Sequence, residues 1–376
     1  MQENTTAPVR YDKLLDSWVV SDKEAAQVAL GQSALSSRTA DAGSYLPADM
    51  KEECAELLDV LSRWFVLLDG EQHTAARRGV QRMFSPGRIR KLQESIEEIV
   101  EEALDDFPQE GVGDAMPQLA GVISARTMAL MLGLEKTDAA QLHGWARAIA
   151  DFLAASYRRD FAVRAQDAMR SMGEFVRNSN RTDSIWNYTS GDELDRLATC
   201  SLMLFGGLET TAALMGFSLW YVIENGLTRR VADEAHATET AEIVERVLEL
   251  HPPLGHVART AEAGVEMEGL SITPGGLVLV SLTGHDPFDP PKCPVRPASH
   301  TGGGRRTDHL AFGHGMHYCM GAPLARMEAT TLLTRFARRF PDARVQDLTW
   351  SKNRTYRGFD HLNIRLTTEG KEAQRT

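Results

Sequence analysis

Cysteine is scarce in this sequence, and its four copies follow no spacing. Cys54, Cys200, Cys293 and Cys319 are spread over 376 residues, which argues against a disulfide framework and favours a reducing cytoplasm. The N-terminus lacks the basic start and apolar core of a signal peptide, so we expect neither a signal peptide nor a membrane anchor. No serine-, glycine- or proline-rich linker divides the chain. The sequence therefore predicts a single domain over residues 1–376, with polar, disordered ends at about residues 1–10 and 367–376.

Signatures of nucleic-acid binding and of nucleotide cofactors are missing as well. A net charge of −11 disfavours nucleic acid as a partner. No Gly-x-Gly-x-x-Gly run opens a helix after a strand, so the usual flavin or NAD fingerprint is absent. The composition itself is ordinary for a globular protein, 43% hydrophobic and 25% charged, and provides ample material for a large core.

One apolar run, residues 197–223, is long enough to raise the question of a membrane span. Glu209 lies in its middle, flanked by Gly206, Gly207 and two threonines, which makes a span costly. A helix that is apolar on every side can equally be the buried axis of a large protein, and we favour that interpretation. A buried glutamate then needs a partner, water or a raised pKa.

The stretch that organises the chain is LAFGHGMHYCMGAPLARME, residues 310–328. Cys319 lies in a glycine-punctuated loop, and a helical pattern begins at Ala322. At such a junction amide N–H groups and the helix dipole stabilise a thiolate, which can serve as an axial ligand to haem iron. Taken alone, a single cysteine beside a helix is more often a small buried hydrophobe. A zinc site is disfavoured because His314 and His317 beside one cysteine do not supply its ligands.

This loop closely resembles the haem-binding loop of the cytochrome P450 superfamily. The matching residues are Phe312, Gly313, Gly315, His317, Cys319, Gly321, Leu324, Ala325 and Arg326. The resemblance extends from about residue 18 to residue 366 and is of the soluble bacterial kind. It implies a mainly α fold with small β-sheets and a long central helix over a haem b (heme b, iron protoporphyrin IX). It also implies that Cys319 ligates the iron, with Phe312, Gly313, His317 and Gly321 around the cofactor.

Two further segments resemble haem-contacting parts of the same family. His73 and Arg77 are four residues apart on a predicted helix and share a face. The resemblance implies that both bind haem propionates, and that Arg259 with His317 supplies a further contact. Arginine's planar fork suits a carboxylate.

The centre of the apolar helix resembles the acid–alcohol motif of the family. By that resemblance Gly206 and Gly207 line a groove for dioxygen, Glu209 is the proton source and Thr210 is the alcohol of the proton relay. The segment at residues 156–190 corresponds to the family's lid helices. Residues 350–366 correspond to its final hairpin, with Phe359 near the pocket.

The sequence departs from the family where a Glu-x-x-Arg helix normally precedes Pro252 and Pro253. Arg246 stands in the place of the glutamate and Glu249 in the place of the arginine. Residues three apart on a helix are neighbours, so we predict an Arg246–Glu249 pair of reversed sense. We also expect Arg296, the counterpart of the family's third partner, to pair with Glu249 or a nearby acid, and Cys293 to be structural.

The resemblance implies an enzyme: a haem-thiolate monooxygenase that inserts one oxygen atom from O2 into a small organic substrate. Hydroxylation or epoxidation in bacterial secondary-metabolite (antibiotic) biosynthesis is the first expectation. The alternatives are oxidative coupling or desaturation on the same scaffold, and a non-catalytic haem-thiolate sensor or accessory protein. A cysteine hydrolase with His317 as base lacks an orienting acid and an oxyanion site.

Electrons must come from another protein, and we expect a cytoplasmic monomer served by a ferredoxin and a ferredoxin reductase. An acidic protein with a local basic patch suits an acidic partner. The basic residues in question are Arg77, Arg78, Arg82, Arg88, Arg90, Lys91, Arg326, Arg335, Arg338 and Arg339.

Overall fold

The computed structural model describes residues 7–38, 46–135, 138–178, 189, 191–288, 309–353 and 355–366. Its helices in chain order are α1 Lys23–Gly31, α2 Ala48–Glu53, α3 Ala55–Ser62, α4 Gly70–Gln81, α5 Pro86–Lys91, α6 Gln93–Asp106, α7 Gly121–Leu132, α8 Ala139–Ala154, α9 Arg159–Asn178, α10 Glu193–Glu224, α11 Thr228–Ala232, α12 Ala237–Leu250 and α13 Ala322–Arg339. Its strands are β1 Val9–Asp12, β2 Ser17–Val20, β3 Leu35–Ser36, β4 Gly111–Asp114, β5 His256–Ala261, β6 Val265–Met267, β7 Leu270–Ile272, β8 Leu277–Ser281, β9 Arg344–Trp350 and β10 Phe359–Leu366. This is the mainly α fold with small sheets that the sequence predicts.

The 32-residue helix α10 is the axis of the molecule. It begins at a capping box in which the Asp192 side chain accepts from the Asp195 N–H and the Asp195 side chain accepts from the Asp192 N–H. By length and composition it could cross a membrane, but 72% of its most apolar window is buried within the protein. It packs against α3, α7, α8, α12 and α13. The interpretation as a buried core helix agrees with this packing.

The apolar spacing of residues 114–134 and 138–153 predicts two core helices, and each range contains one. Residues 116–120 form a π-type turn that leads into α7, and α8 follows after a short connection. The lid segment contains the 20-residue helix α9. Residues 179–188, which complete that segment, lie outside the described part of the chain.

A five-stranded sheet of order β1-β2-β8-β5-β3 lies beside the helices. Its strands β2 and β8 are parallel, with Trp18 opposite Val278, and the other pairs are antiparallel. The sequence from Trp18 to Ala25 predicts a short strand that leads into a helix, and the structure has β2 followed by α1. The Asp22 side chain accepts from the N–H groups of Glu24 and Ala25 at the start of α1. Strand β1 begins at Val9, so regular structure starts before the predicted end of the disordered terminus at about residue 10.

The buried apolar side chains form two clusters. The larger one is built from the helices and the C-terminal sheet of order β4-β10-β9. The smaller one lies between α1 and the five-stranded sheet. Leu310 belongs to the smaller cluster, whereas Phe312 packs against the larger one. The loop that carries Cys319 therefore joins the two cores.

Candidate haem site

The Cys319 loop is shaped by glycines and closed by a backbone hydrogen bond. Gly313 and Gly315 adopt positive φ angles of 71° and 69°, which side chains other than glycine rarely adopt. The Cys319 N–H donates to the Phe312 carbonyl at 2.9 Å. A Cβ on Gly321 would lie 3.8 Å from the Cys319 sulfur, so this glycine is beside the thiol at the start of α13. The predicted loop-to-helix junction is present.

The Cys319 sulfur has the surroundings of a thiolate ligand. Burial raises the pKa of Cys319, and the N–H groups of Gly321 and Ala322 with the cations Arg77 and Arg326 oppose that rise. Although protein atoms lie around the sulfur, Cys319 is exposed. The sulfur is therefore accessible to a group bound within the protein.

His73 and His317 form a buried cluster with Arg259. The two imidazole centroids are 4.4 Å apart. Burial, with the nearby charge of Arg259, lowers the pKa of His317 to about 4, and burial also lowers the pKa of His73. His317 Nε2 lies 2.9 Å from the Ser37 hydroxyl and 3.6 Å from an Asp69 carboxylate oxygen.

Several side-chain nitrogens in this cluster have no partner within the described ranges. Both ring nitrogens of His73 and Nδ1 of His317 are buried without a hydrogen bond. Arg259 is only 7% exposed, and its Nη1 donates to the neighbouring Ala258 carbonyl at 2.8 Å. Buried donors of this kind call for an acceptor. The carboxylates of haem propionates meet that requirement, so these residues fit the predicted cofactor.

Arg77 lies one turn after His73 on α4 but makes a different contact. Its Nη2 donates to the Tyr318 carbonyl at 2.5 Å. Burial lowers the pKa of Arg77, and the nearby Cys319 opposes this. In the structure this guanidinium therefore supports the residue before the thiol, in addition to the propionate role predicted for it.

The two glycines of α10 face different neighbours. Gly206 is exposed, and a Cβ built on it would meet nothing within 4 Å. A Cβ on Gly207 would lie 2.4 Å from the Met128 sulfur of α7. Consecutive residues of a helix point about 100° apart, so only Gly206 opens onto free space. Gly207 allows close packing of α10 on α7, and its predicted place along the oxygen groove finds no support in this contact.

Glu209 and Thr210 lie at a cavity of about 350 Å³. One Glu209 oxygen is 3.9 Å from Arg147 of α8, and the other is buried without a partner in the described structure. The Thr210 hydroxyl donates to the Gly206 carbonyl at 2.6 Å. Phe359 is 5% exposed and also lines this cavity, as expected for a residue near the pocket.

An ion pair that the sequence did not reveal ties α12 to α13. Glu245 accepts from Arg326 Nε at 2.5 Å and from Arg326 Nη2 at 3.0 Å, and His309 Nε2 lies 3.3 Å away. Because His309 Nδ1 accepts from the Ala311 N–H, the proton of a neutral ring lies on Nε2 and is donated to Glu245. Arg326 also stacks over the Phe312 ring at 4.5 Å. In the sequence, the only indication of this ion pair is that an acid, Glu245, directly precedes Arg246.

The reversed pair is present in the structure. Arg246 Nη1 lies 2.5 Å from Glu249, and both side chains are more than a third exposed. The counterpart that we expected at Arg296 lies outside the described residues, as does Cys293.

The basic residues fall into two groups. Those on α13 are matched by acids: Arg335 with Glu97 and Glu101, Arg338 with Glu234, and Arg339 with Glu101 and Asp105. In contrast, four exposed side chains on and after α4 have no acid partner in the described part of the chain. These four, which we call the α4–α5 basic patch, are Arg78, Arg82, Arg90 and Lys91.

Comparison with known proteins places this site in a family. The family model described as cytochrome P450 matches residues 175–349, which include α10, Cys319 and α13. Cytochrome P450 FAS1 of Rhodococcoides fascians is 30% identical over 286 residues, which cover 73% of this chain and 70% of that protein. The polyketide biosynthesis cytochrome P450 PksS of Bacillus subtilis is 26% identical over 343 residues, covering 83% of this chain and 80% of that protein. The chain belongs to the cytochrome P450 family.

Solved structures confirm the fold. The crystal structure of P450BioI in complex with an acyl carrier protein ligated to hexadec-9Z-enoic acid matches with a TM-score of 0.83 at 22% identity, covering 96% of this chain and 94% of that chain. Membership in the family implies a haem-iron cofactor, monooxygenase chemistry of the general kind, small-molecule substrates and redox partners.

Proposed function

We propose that the protein is a haem-thiolate monooxygenase that holds haem b through Cys319. It inserts one oxygen atom into a small organic substrate by hydroxylation or epoxidation, in bacterial secondary-metabolite biosynthesis. The observation that carries the proposal is the Cys319 thiol, which is exposed and receives two backbone N–H donors. The polyketide assignment of the Bacillus subtilis relative supports the metabolic setting.

The residues around the cofactor would bind and orient it. Cys319 ligates the iron, and the N–H groups of Gly321 and Ala322 stabilise its negative charge. His73, His317 and Arg259 would donate to the propionates. Within the described ranges both ring nitrogens of His73 and Nδ1 of His317 have no partner, and Arg259 donates only to the Ala258 carbonyl. When bound, the haem iron supplies the activation of dioxygen.

Glu209 and Thr210 would transfer protons at the wall of the 350 Å³ cavity. Glu209 is held only loosely by Arg147, at 3.9 Å, so its carboxylate is free to exchange between that cation and the cavity. The Thr210 hydroxyl lies beside Gly206, where the helix surface is open. A carboxylate and a hydroxyl on adjacent positions can pass a proton through one water.

The electron donor would be an acidic ferredoxin served by its reductase, and the protein would act as a soluble cytoplasmic monomer. The α4–α5 basic patch supports this because α4 also carries Arg77, next to the Cys319 loop. Complementary potential between the two proteins would steer their encounter.

The spectrum of the reduced carbon monoxide complex tests the proposal. Wild-type protein reconstituted with haemin is expected to give the band of a thiolate-ligated haem, and Cys319→Ser is expected to lose it. Cys54→Ser is the control, because Cys54 is buried in the larger core cluster and is not part of the Cys319 loop. Protein that refuses haemin, or a thiolate band that survives in Cys319→Ser, would overturn the assignment.

Removal of the Thr210 hydroxyl tests the proton path. Thr210→Ala is expected to release peroxide, so that electron uptake exceeds product formation about tenfold or more. Thr210→Ser restores the hydroxyl and is expected to restore coupling, and Thr211→Ala serves as control because Thr211 is buried in the helix packing. Unchanged coupling in Thr210→Ala would show that Thr210 has no part in proton delivery.

A further inference from the structure

Arg357 is a buried cation without a counter-ion. It is 9% exposed, and its Nη1 is buried with no hydrogen-bond partner in the described structure. Among the described residues its only hydrogen bond runs from its backbone N–H to the Pro253 carbonyl. Burial lowers the pKa of Arg357, but a guanidinium keeps its proton in proteins. An isolated buried charge is costly unless something pairs with it.

The backbone fixes the position of this side chain. The Arg357 N–H donates to the Pro253 carbonyl at 2.7 Å, and the Gly255 N–H donates to the Thr355 carbonyl at 2.9 Å. Between them Leu254 and Tyr356 form an antiparallel bridge. The backbone that carries the guanidinium is therefore held by pairing between residues 253–255 and 355–357, which lowers the entropy cost of binding a ligand there.

Arg357 lines the same 350 Å³ cavity as Glu209 and Thr210. The two acids on the cavity wall, Glu209 and Asp360, each lie 3.9 Å from Arg147. The nearby His251 adds no charge, since burial and the neighbouring Arg357 lower its pKa to about 4. Both acids therefore share Arg147, and no acid among the described residues contacts Arg357.

We propose that Arg357 binds the carboxylate of the substrate, and that the substrate is a small organic acid. This rests on the proposed function, which makes the cavity the substrate pocket. A planar guanidinium binds a carboxylate through two parallel hydrogen bonds. Met116, Ala213 and Phe359 on the cavity wall accommodate the apolar remainder of the molecule. A cavity of this size suits a ligand at the small end of the usual range.

The test compares acids with their neutral esters on the haem-loaded protein. Hexanoate, octanoate, decanoate and 3-phenylpropanoate, each beside its methyl ester, are titrated by the spectral change on loss of water from ferric iron and by calorimetry. At least one acid is expected to bind about tenfold or more tightly than its ester. If no acid binds more tightly than its ester, Arg357 is not a carboxylate anchor.

Three variants separate the role of the charge from effects on folding. Arg357→Met is expected to weaken acid binding about 10- to 100-fold and leave ester binding unchanged. Arg357→Lys keeps the charge without the planar fork, and its affinity for the acid is expected to lie between those of the wild type and Arg357→Met. Arg365→Met is the control, because Arg365 is exposed on the same hairpin and donates to Gln346.

The outcomes also separate this inference from the proposed function. Loss of the thiolate band in wild-type protein would overturn the function itself. An intact band together with an acid preference that persists in Arg357→Met would overturn only the carboxylate anchor. If Arg357→Met does not fold, the comparison of acids with esters on wild-type protein still decides the question.

Discussion

Glu328 is a carboxyl inside the protein core that none of the proposed chemistry uses. It is 2% exposed on α13, and one of its oxygens has no partner among the described residues. Burial raises the pKa of Glu328 well above its ordinary value, and the neighbouring Thr127 hydroxyl opposes this only in part. The carboxyl is therefore held protonated, and its contribution to stability depends on pH.

Replacement of Glu328 by glutamine makes this dependence measurable. The unfolded chain releases the Glu328 proton above its ordinary pKa of 4.5 while the folded protein retains it. The wild-type free energy of unfolding should therefore fall with rising pH by up to about 1.4 kcal/mol per unit from this group. Glu328→Gln is expected to remove that part of the slope. Urea unfolding between mildly acidic and mildly basic pH checks it, with exposed Glu98→Gln as control, and an unchanged slope in Glu328→Gln would refute it.

The residues that the sequence revealed and those that it missed differ in kind. Cys319, His73 and Thr210 stand in short runs whose spacing is local, so the resemblance found them without a structure. Arg357 was missed because its significance lies in the lack of an ion-pair partner among the described residues, which a sequence motif cannot show. Glu245 was missed since its partner Arg326 is 81 residues away.

At the scale of a helix, replacing each of the two adjacent glycines of α10 by alanine is expected to change the stability in opposite directions. Gly206→Ala places its Cβ in free space and is expected to stabilise the helix by about 1 kcal/mol. Gly207→Ala places a Cβ against Met128 and is expected to destabilise by about 1–3 kcal/mol. Thermal unfolding of both variants tests the pair. Equal shifts in the two would contradict the assigned directions of these positions.

Loss of the Glu245–Arg326 ion pair is expected to destabilise the fold more than loss of the Arg246–Glu249 ion pair. Burial would raise the pKa of Glu245, but hydrogen bonds from His309 and Arg326 lower it to about 2. Its stabilisation is therefore present above about pH 4.5 and is lost as the pH falls towards 2.

Glu245→Gln is expected to cost about 1–3 kcal/mol at neutral pH and to decrease the fraction of thiolate-ligated haem, since Arg326 stacks on Phe312 of the Cys319 loop. Glu249→Gln, which disrupts the more exposed pair, is expected to cost at most about 0.5 kcal/mol. Denaturant unfolding and the carbon monoxide spectrum measure both effects. Equal costs for the two variants would show that the less exposed Glu245–Arg326 pair has no special role.

At the scale of the whole molecule, charge is distributed unevenly. The chain carries −11 overall, yet the α4–α5 basic patch is free of acid partners in the described structure. Arg78→Glu combined with Arg82→Glu is expected to raise the KM for an acidic ferredoxin about tenfold at low salt, with less effect at high salt. Arg344→Glu on β9 is the control, since it alters the net charge at another surface. An equal change in both proteins would indicate a general charge effect.

Helix positions were readable from the sequence, whereas the sheet topology was not. Residues 114–134 and 138–153 show the apolar spacing that one helix face requires. The first range contains a π-type turn and α7, although Asp114 ends strand β4, and the second range contains most of α8. The parallel pairing of β2 with β8 joins Trp18 to Val278 across the chain. Such a pairing depends on everything folded in between, so local periodicity carries no trace of it.

The position of the Cys319 loop between the two apolar cores has a thermodynamic consequence. Leu310 is anchored in one core and Phe312 in the other, while His317 contacts both Ser37 and His73. A porphyrin bound by these residues would link the two apolar cores. The empty polypeptide is therefore expected to melt in two separate steps and the loaded one in a single step at a higher temperature, because ligation links the halves into one cooperative unit.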